Sequence, residues 1–147
     1  MTLLLIHTAA TLAMFGVILV VQWVHYPLFR HVGTADYPTY QAEHMRRITA
    51  IVGPLMGVEL VTAGLLVWTP PAGVFAGQAW AGLLLVGLIW GTTALVQVPL
   101  HAALTDGFDR STHRRLVRTN WVRTVAWGLR AGLVLWMLRR AAGEGAP

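Results

Sequence analysis

Four apolar stretches dominate this 147-residue chain. Each is close to the ~20 helical residues that are needed to cross about 30 Å of hydrocarbon. Charged residues make up only 12% of the chain, which is about half the share in a typical soluble protein. The pattern predicts an all-α integral membrane protein, a single domain in which four transmembrane helices form an up-down-up-down bundle. The predicted spans are Leu3–Trp23, Ile48–Trp68, Ala79–Val98 and Trp121–Leu138.

The arginines are unevenly distributed between the connections of these spans. Eight lie in or beside the two long connections: Arg30, Arg46, Arg47, Arg110, Arg114, Arg115, Arg118 and Arg123. Only Arg139 and Arg140 flank the opposite side. The positive-inside rule therefore predicts a bacterial inner membrane protein with both long connections cytoplasmic and both termini outside. Because the charges lie at span ends, the expected partner is the lipid bilayer and not nucleic acid.

Tryptophans mark the same span boundaries. Trp23 and Trp121 lie at the predicted cytoplasmic ends, while Trp68, Trp80 and Trp136 lie at the outer ends. Tryptophan is enriched where a membrane helix crosses the interface between hydrocarbon and water. The pattern predicts an interfacial aromatic belt, which requires no further function.

One histidine from each span falls at the same end of the predicted bundle. Because spans one and three end where spans two and four begin, alternating helix direction should bring these side chains together: His25, His44, His101 and His113. Three of them have a polar residue three or four positions earlier, a spacing that shares a helix face. We therefore predict a polar cavity lined by His25, His44 and His101. The residues expected to orient them are Gln22, Tyr40 and Gln97.

Histidine side chains without thiolates are plausible ligands for several metals. The chain contains no cysteine, so thiolate metal sites and cysteine nucleophiles are excluded. Neutral imidazole suits iron, copper and zinc, and we expect iron or copper at His25, His44 and His101, ahead of zinc or haem b. We interpret His7, His31 and His113 instead as side chains that satisfy helix ends.

Two ionisable residues fall near the middle of the predicted spans. Glu59 lies about eleven residues into span two, and Arg130 about nine into span four, which places both near the midplane at 1.5 Å per residue. A charge at that depth should face the bundle interior and a partner. We predict a Glu59–Arg130 contact that forms the floor of the cavity, with Asn120 and Arg123 positioned to hold a substrate. The contact either fixes helix register or serves function.

Two segments resemble a known pattern. Residues 97–101 (QVPLH) and 120–124 (NWVRT) look like segments of uncharacterised four-span bacterial membrane proteins. Those proteins in turn resemble the anthrone oxygenase-like group. The resemblance covers the four-span layout and the C-terminal half, and it implies oxygenation of an aromatic or quinone-like substrate.

These observations together favour a membrane oxidoreductase or oxygenase that acts on a lipophilic small molecule. Three alternatives stay open. A haem- or quinone-binding electron carrier would use two of the same histidines, and a small transporter or proton conduit would use Glu59 and Arg130. An assembly or scaffold subunit would use the polar residues only to hold its helices together. A homo-oligomer is compatible with each of these.

Overall fold

The computed structural model describes residues 1–143 and shows four long helices. These are α1 (Thr2–His31), α2 (Tyr37–Trp68), α3 (Ala76–Thr105) and α4 (Arg110–Gly143). The predicted all-α class is confirmed. Each helix extends beyond the corresponding predicted span because polar residues at the ends continue the helix.

The helices form a four-membered ring. Short connections over 32–36, 69–75 and 106–109 join them in sequence. α1 packs against α2 and α4, and α3 packs against the same two neighbours. With connections this short, consecutive helices run in opposite directions. The end of the bundle where α1 and α3 finish and α2 and α4 begin carries the predicted histidines, and is called here the histidine end.

Membrane-spanning character is supported for three of the four helices. α1, α2 and α3 are long and apolar enough to cross a membrane, and α4 is not among the helices that meet this test. The predicted fourth span, Trp121–Leu138, lies within α4, where Arg123 and Arg130 lower the hydropathy. Both of these arginines are buried, at 6% and 0% exposure, and so point into the bundle.

α1 and α3 each contain a π-helical turn near the histidine end. The turns span Val21–His25 and Thr93–Gln97. Each is followed two residues later by a proline, Pro27 or Pro99. Proline has no N–H group to donate to the carbonyl four residues earlier, and a π turn is a local accommodation that often occurs at functional sites. Both turns change the direction in which the following polar residues point.

Helix α4 begins with a side-chain cap. The Asp109 carboxylate accepts hydrogen bonds from the Thr112 backbone N–H at 2.7 Å and from the Ser111 hydroxyl at 2.6 Å. These two hydrogen bonds lower the pKa of Asp109 to about 2, so the cap stays charged at neutral pH.

Candidate functional site

His101 is hydrogen-bonded to Gln41 and Tyr26, and these two contacts determine which ring nitrogen carries the hydrogen. The Gln41 amide nitrogen lies 2.9 Å from His101 Nδ1 and 3.3 Å from the His101 carbonyl oxygen. An amide that donates to both leaves Nδ1 as an acceptor, so the ring hydrogen resides on Nε2. Nε2 lies 2.8 Å from the Tyr26 hydroxyl oxygen and donates to it. The tyrosine hydrogen is then available to another acceptor.

His25 and His44 form a second hydrogen-bonded group beside the first. His25 Nε2 and His44 Nδ1 lie 2.9 Å apart, and the His44 and His101 rings are tilted at 35° to each other with centroids 5.5 Å apart. Phe29, which is fully buried, contacts the rings of His25, His44 and His101. The predicted convergence of these three histidines is therefore present.

The three histidines are hydrogen-bonded to each other and to neighbours, and do not converge as ligands of one ion. His25 Nε2 and His44 Nδ1, 2.9 Å apart, are hydrogen-bonded to each other. Both His101 nitrogens are engaged. Within residues 1–143, no group of three or more histidine, aspartate or glutamate side chains is placed to hold a metal ion. The predicted iron, copper or haem site gains no support from this geometry.

The expected orienting residues are wrong in two of three cases. Gln22 contacts α4 and not His25: its amide nitrogen donates to the Val117 carbonyl at 3.3 Å. Gln97 donates to the Thr119 hydroxyl at 2.9 Å and not to His101. Gln22 lies inside the π turn of α1, where α-helical spacing does not apply, whereas Gln97 shares the cavity wall with His101 but bonds to α4. Tyr40 reaches His25, with 3.5 Å between its hydroxyl and Nε2, and not the expected His44.

Asn120 and Arg123 belong to a buried chain of hydrogen bonds. Arg123 Nη1 donates to the Asn120 side-chain oxygen at 3.0 Å, and the Asn120 amide donates to the Gln22 side-chain oxygen at 2.9 Å. Arg123 also lies within reach of the Tyr26 hydroxyl. Its guanidinium carbon lies 5.2 Å from the centre of the Trp127 ring. Arg123 is thereby held in place at the histidine end.

A cavity of about 90 Å³ opens beside Tyr26, His101 and Arg123. Most of its wall is apolar and comes from α1, α2 and α3: Met14, Val17, Ile18, Val21, Ile48, Val52 and Val98. Gln97, Thr49 and Thr93 add further polar side chains to the wall. Glu59 and Arg130 do not line this cavity, so their predicted role as its floor is wrong.

The predicted contact between Glu59 and Arg130 is present, deeper in the bundle. Their closest atoms lie 3.0 Å apart, with the side chains 2% and 0% exposed. Trp127 Nε1 donates to the second Glu59 oxygen at 2.9 Å, and Arg130 also donates to the Gly82 carbonyl and the Thr11 hydroxyl. We call Glu59, Trp127, Arg130, His7, Thr11 and Thr62 the midplane cluster.

His7 completes the midplane cluster through a directed chain of hydrogen bonds. Thr62 donates its hydroxyl to the Val58 carbonyl at 2.6 Å and so accepts from His7 Nδ1, also at 2.6 Å. His7 Nε2 is then an acceptor for Arg130, 3.4 Å away. The interpretation of His7 as a helix-end side chain is wrong. The adjoining cavity measures about 10 Å³, room for one water at most, so a transport path gains no support.

His113 and His31 agree better with their interpretation as side chains that satisfy helix ends. His113 Nε2 lies 2.8 Å from the Tyr26 carbonyl oxygen, near the end of α1, and donates to it. His31 is exposed and accepts from Arg30 at 3.1 Å. His113 therefore supports the site indirectly, because it fixes the backbone of Tyr26.

Sequence reasoning missed Tyr26 and Gln41, which are both buried at the site. Gln41 lies three residues before His44, a spacing that indicates a shared helix face. Tyr26 follows His25 directly and gives no such signal, because adjacent residues do not share a face of an α-helix. Its placement depends on the π turn.

Comparison with protein-family models, with curated proteins and with solved structures finds no match for this chain. The resemblance to the anthrone oxygenase-like group therefore stays a prediction. Any functional conclusion has to come from the geometry of the site.

Proposed function

We propose that this chain is a membrane protein that binds a small lipophilic molecule of the quinone or phenol type and exchanges protons with its oxygen atom. The observation that supports this is a set of unpaired polar atoms around the apolar cavity. Within residues 1–143, Arg123 Nε and the Gln97 side-chain oxygen are buried without a hydrogen-bond partner. Both residues line the cavity.

Unpaired buried polar atoms are rare in folded proteins because each costs about 1–3 kcal/mol. Here they are complementary to one kind of ligand. The Tyr26 hydroxyl and Arg123 Nε are donors, and the Gln97 oxygen is an acceptor, on a wall whose remainder is mostly apolar. A carbonyl oxygen accepts from the two donors, and a phenolic O–H can donate to Gln97. An aromatic ring fits the apolar remainder.

The chemistry follows from the tautomer of His101. Tyr26 donates its proton to the ligand oxygen, and the hydrogen bond from His101 Nε2–H, 2.8 Å away, stabilises the tyrosinate until a proton from solvent restores Tyr26. When a quinone accepts two electrons from an external reductant, its two oxygens take up two protons, and this pair supplies one of them. Oxidation of the corresponding phenol reverses the direction. This chain's residues would thus serve a membrane oxidoreductase by binding the substrate and moving a proton.

The proposal includes α4 as the fourth membrane-spanning helix. Its two central arginines are buried and hydrogen-bonded, as is expected of charges at membrane depth. The eight arginines at the histidine end then place that end in the cytoplasm. A lipophilic ligand would reach the cavity from the bilayer.

The test compares duroquinone with durene, which has the same methylated ring without the two oxygens. Binding to protein in lipid nanodiscs is measured by quenching of tryptophan fluorescence. We expect wild-type protein to prefer duroquinone, and Tyr26→Phe to reduce its affinity about tenfold, the equivalent of one lost hydrogen bond. The matched control is Tyr40→Phe, which removes a hydroxyl outside this cavity and should leave affinity unchanged.

Equal affinity for duroquinone and durene would contradict the proposal, because the unpaired polar atoms would then recognise nothing. Equal loss in Tyr26→Phe and Tyr40→Phe would indicate a general effect of the substitutions. Gln97→Leu provides a second variant, since it removes the acceptor and leaves Tyr26 and His101 in place.

A further inference from the structure

A second concave surface lies on the outside of the histidine end. This cleft, of about 740 Å³, runs between the end of α1 and the start of α4. Four arginines surround it: Arg30, Arg110, Arg114 and Arg118. Its walls also include the apolar side chains of Pro27, Phe108 and Val117. It shares no lining residue with the cavity beside Tyr26.

The arginines of α4 lack counter-charges in the described part of the chain. Arg110, Arg114 and Arg118 are exposed, and no ion pair involves any of them within residues 1–143. They recur every four residues and so form a row on one helix face, an arrangement of like charges that destabilises an isolated helix. The nearby carboxylate of Asp109 is bonded to Ser111 and Thr112 instead.

A different pattern holds for the arginines of α2. Arg46 and Arg47 both pair with Glu43, at 2.9 Å in each case. The two helices therefore differ in their exposed arginines: on α2 two arginines share one carboxylate, whereas α4, within residues 1–143, presents a row without any ion pair beside a cleft. A guanidinium row of this kind is suited to phosphate, which accepts hydrogen bonds from planar forks of N–H donors.

The position of the cleft favours a phosphate carried by a lipid. Trp23 and Trp121, in edge-to-face contact with centroids 5.2 Å apart, are exposed at this end of the bundle. Exposed tryptophans at this place in apolar helices indicate the level of the headgroups. Apolar walls beside the arginines match the glycerol and upper acyl region of a phospholipid. We propose that this cleft binds the phosphate headgroup of an anionic phospholipid.

Native mass spectrometry of the full-length protein in a neutral detergent tests this proposal. Phosphatidylglycerol and phosphatidylcholine are added separately, and bound lipid is counted. We expect wild-type protein to retain phosphatidylglycerol preferentially. The double variant Arg114→Gln/Arg118→Gln should lose about 25-fold in affinity for it, from two interactions that each contribute about a fivefold factor. The matched control, Arg46→Gln/Arg47→Gln, removes the same charge from α2 and should bind normally.

Two results of these binding measurements would contradict the proposal. Equal loss in the two double variants would mean that the lipid responds only to net charge, and the cleft assignment would fail. Displacement of phosphatidylglycerol by excess inorganic phosphate would identify a soluble phosphate as the occupant, and the lipid assignment would fail. Arg110→Gln/Arg114→Gln repeats the test on the same row if the first variant folds poorly. Duroquinone binding, measured in parallel, shows whether the inner cavity is intact and keeps the two proposals separable.

Discussion

The midplane cluster and the histidine end are both polar and both buried, but they differ in how completely their atoms are paired. In the midplane cluster, Glu59 and Arg130 balance each other's charge, and the chain from Arg130 through His7 to Thr62 assigns every donor an acceptor. At the histidine end, by contrast, several buried atoms lack a partner within residues 1–143: His44 Nε2, the side-chain oxygens of Gln41 and Gln97, and Arg123 Nε.

This difference separates a structural role from a binding role. A paired cluster is complete without a ligand, and removal of any member leaves a charge or donor exposed to a low-dielectric interior. An incompletely paired cluster carries a cost that a ligand can relieve. We infer that the midplane cluster fixes how the helices pack and that the histidine end is the part prepared for chemistry.

The largest expected loss of stability tests the structural role of the midplane cluster. Glu59→Ala should destabilise the fold by about 3–5 kcal/mol, because it leaves the guanidinium of Arg130 buried without its counter-charge. The free energy of unfolding in mixed detergent micelles measures it. Glu43→Ala is the matched control, since Glu43 also pairs with arginine but is exposed, and it should change little. Similar stabilities for both variants would remove the structural role assigned to the midplane cluster.

A substitution at the histidine end should cause a smaller loss of stability. His101→Ala should cost about 1–3 kcal/mol, because it leaves the Tyr26 hydroxyl and the Gln41 amide without their shared partner. The same unfolding assay applies, with the exposed His31→Ala as the control. A cost as large as that of Glu59→Ala would break the comparison, since the histidine end would then be equally important for stability.

The smallest effect distinguishes the observed partner of Gln22 from the one expected from helix spacing. A double-mutant cycle between Gln22→Ala and Asn120→Ala should give a coupling of about 0.6 kcal/mol, the average for polar contacts between membrane helices. The cycle between Gln22→Ala and His25→Ala should give none. The reverse result would restore Gln22 as an orienting residue of His25.

The pairing of Glu59 with Arg130 and the convergence of the histidines could be predicted because both depend only on depth and helix direction. Depth accumulates at a fixed rise per residue, so small local irregularities do not affect it. Rotation about the helix axis is more sensitive. Gln22 lies inside the π turn Val21–His25, where α-helical spacing does not hold, and the sequence spacing alone gives no warning of that turn.

The predictions of a fourth span and of a metal site also depended on where individual side chains point. Arg123 and Arg130 lower the hydropathy of α4 although the structure buries both, and α4 is not among the helices that meet the hydropathy test. The metal prediction counted histidines at one level, but ligand geometry depends on where ring nitrogens point. Those of His101 are directed to Tyr26 and Gln41, and Gln41 was not among the expected site residues.

Each π turn contains one residue more than the α-helix around it would need. Deletion of a single exposed residue within it, Trp23 in α1 or Leu95 in α3, would return that turn to plain α-helix. The widened turn takes up the extra residue locally, so the histidine end can gain a residue while the packing of the midplane cluster is preserved.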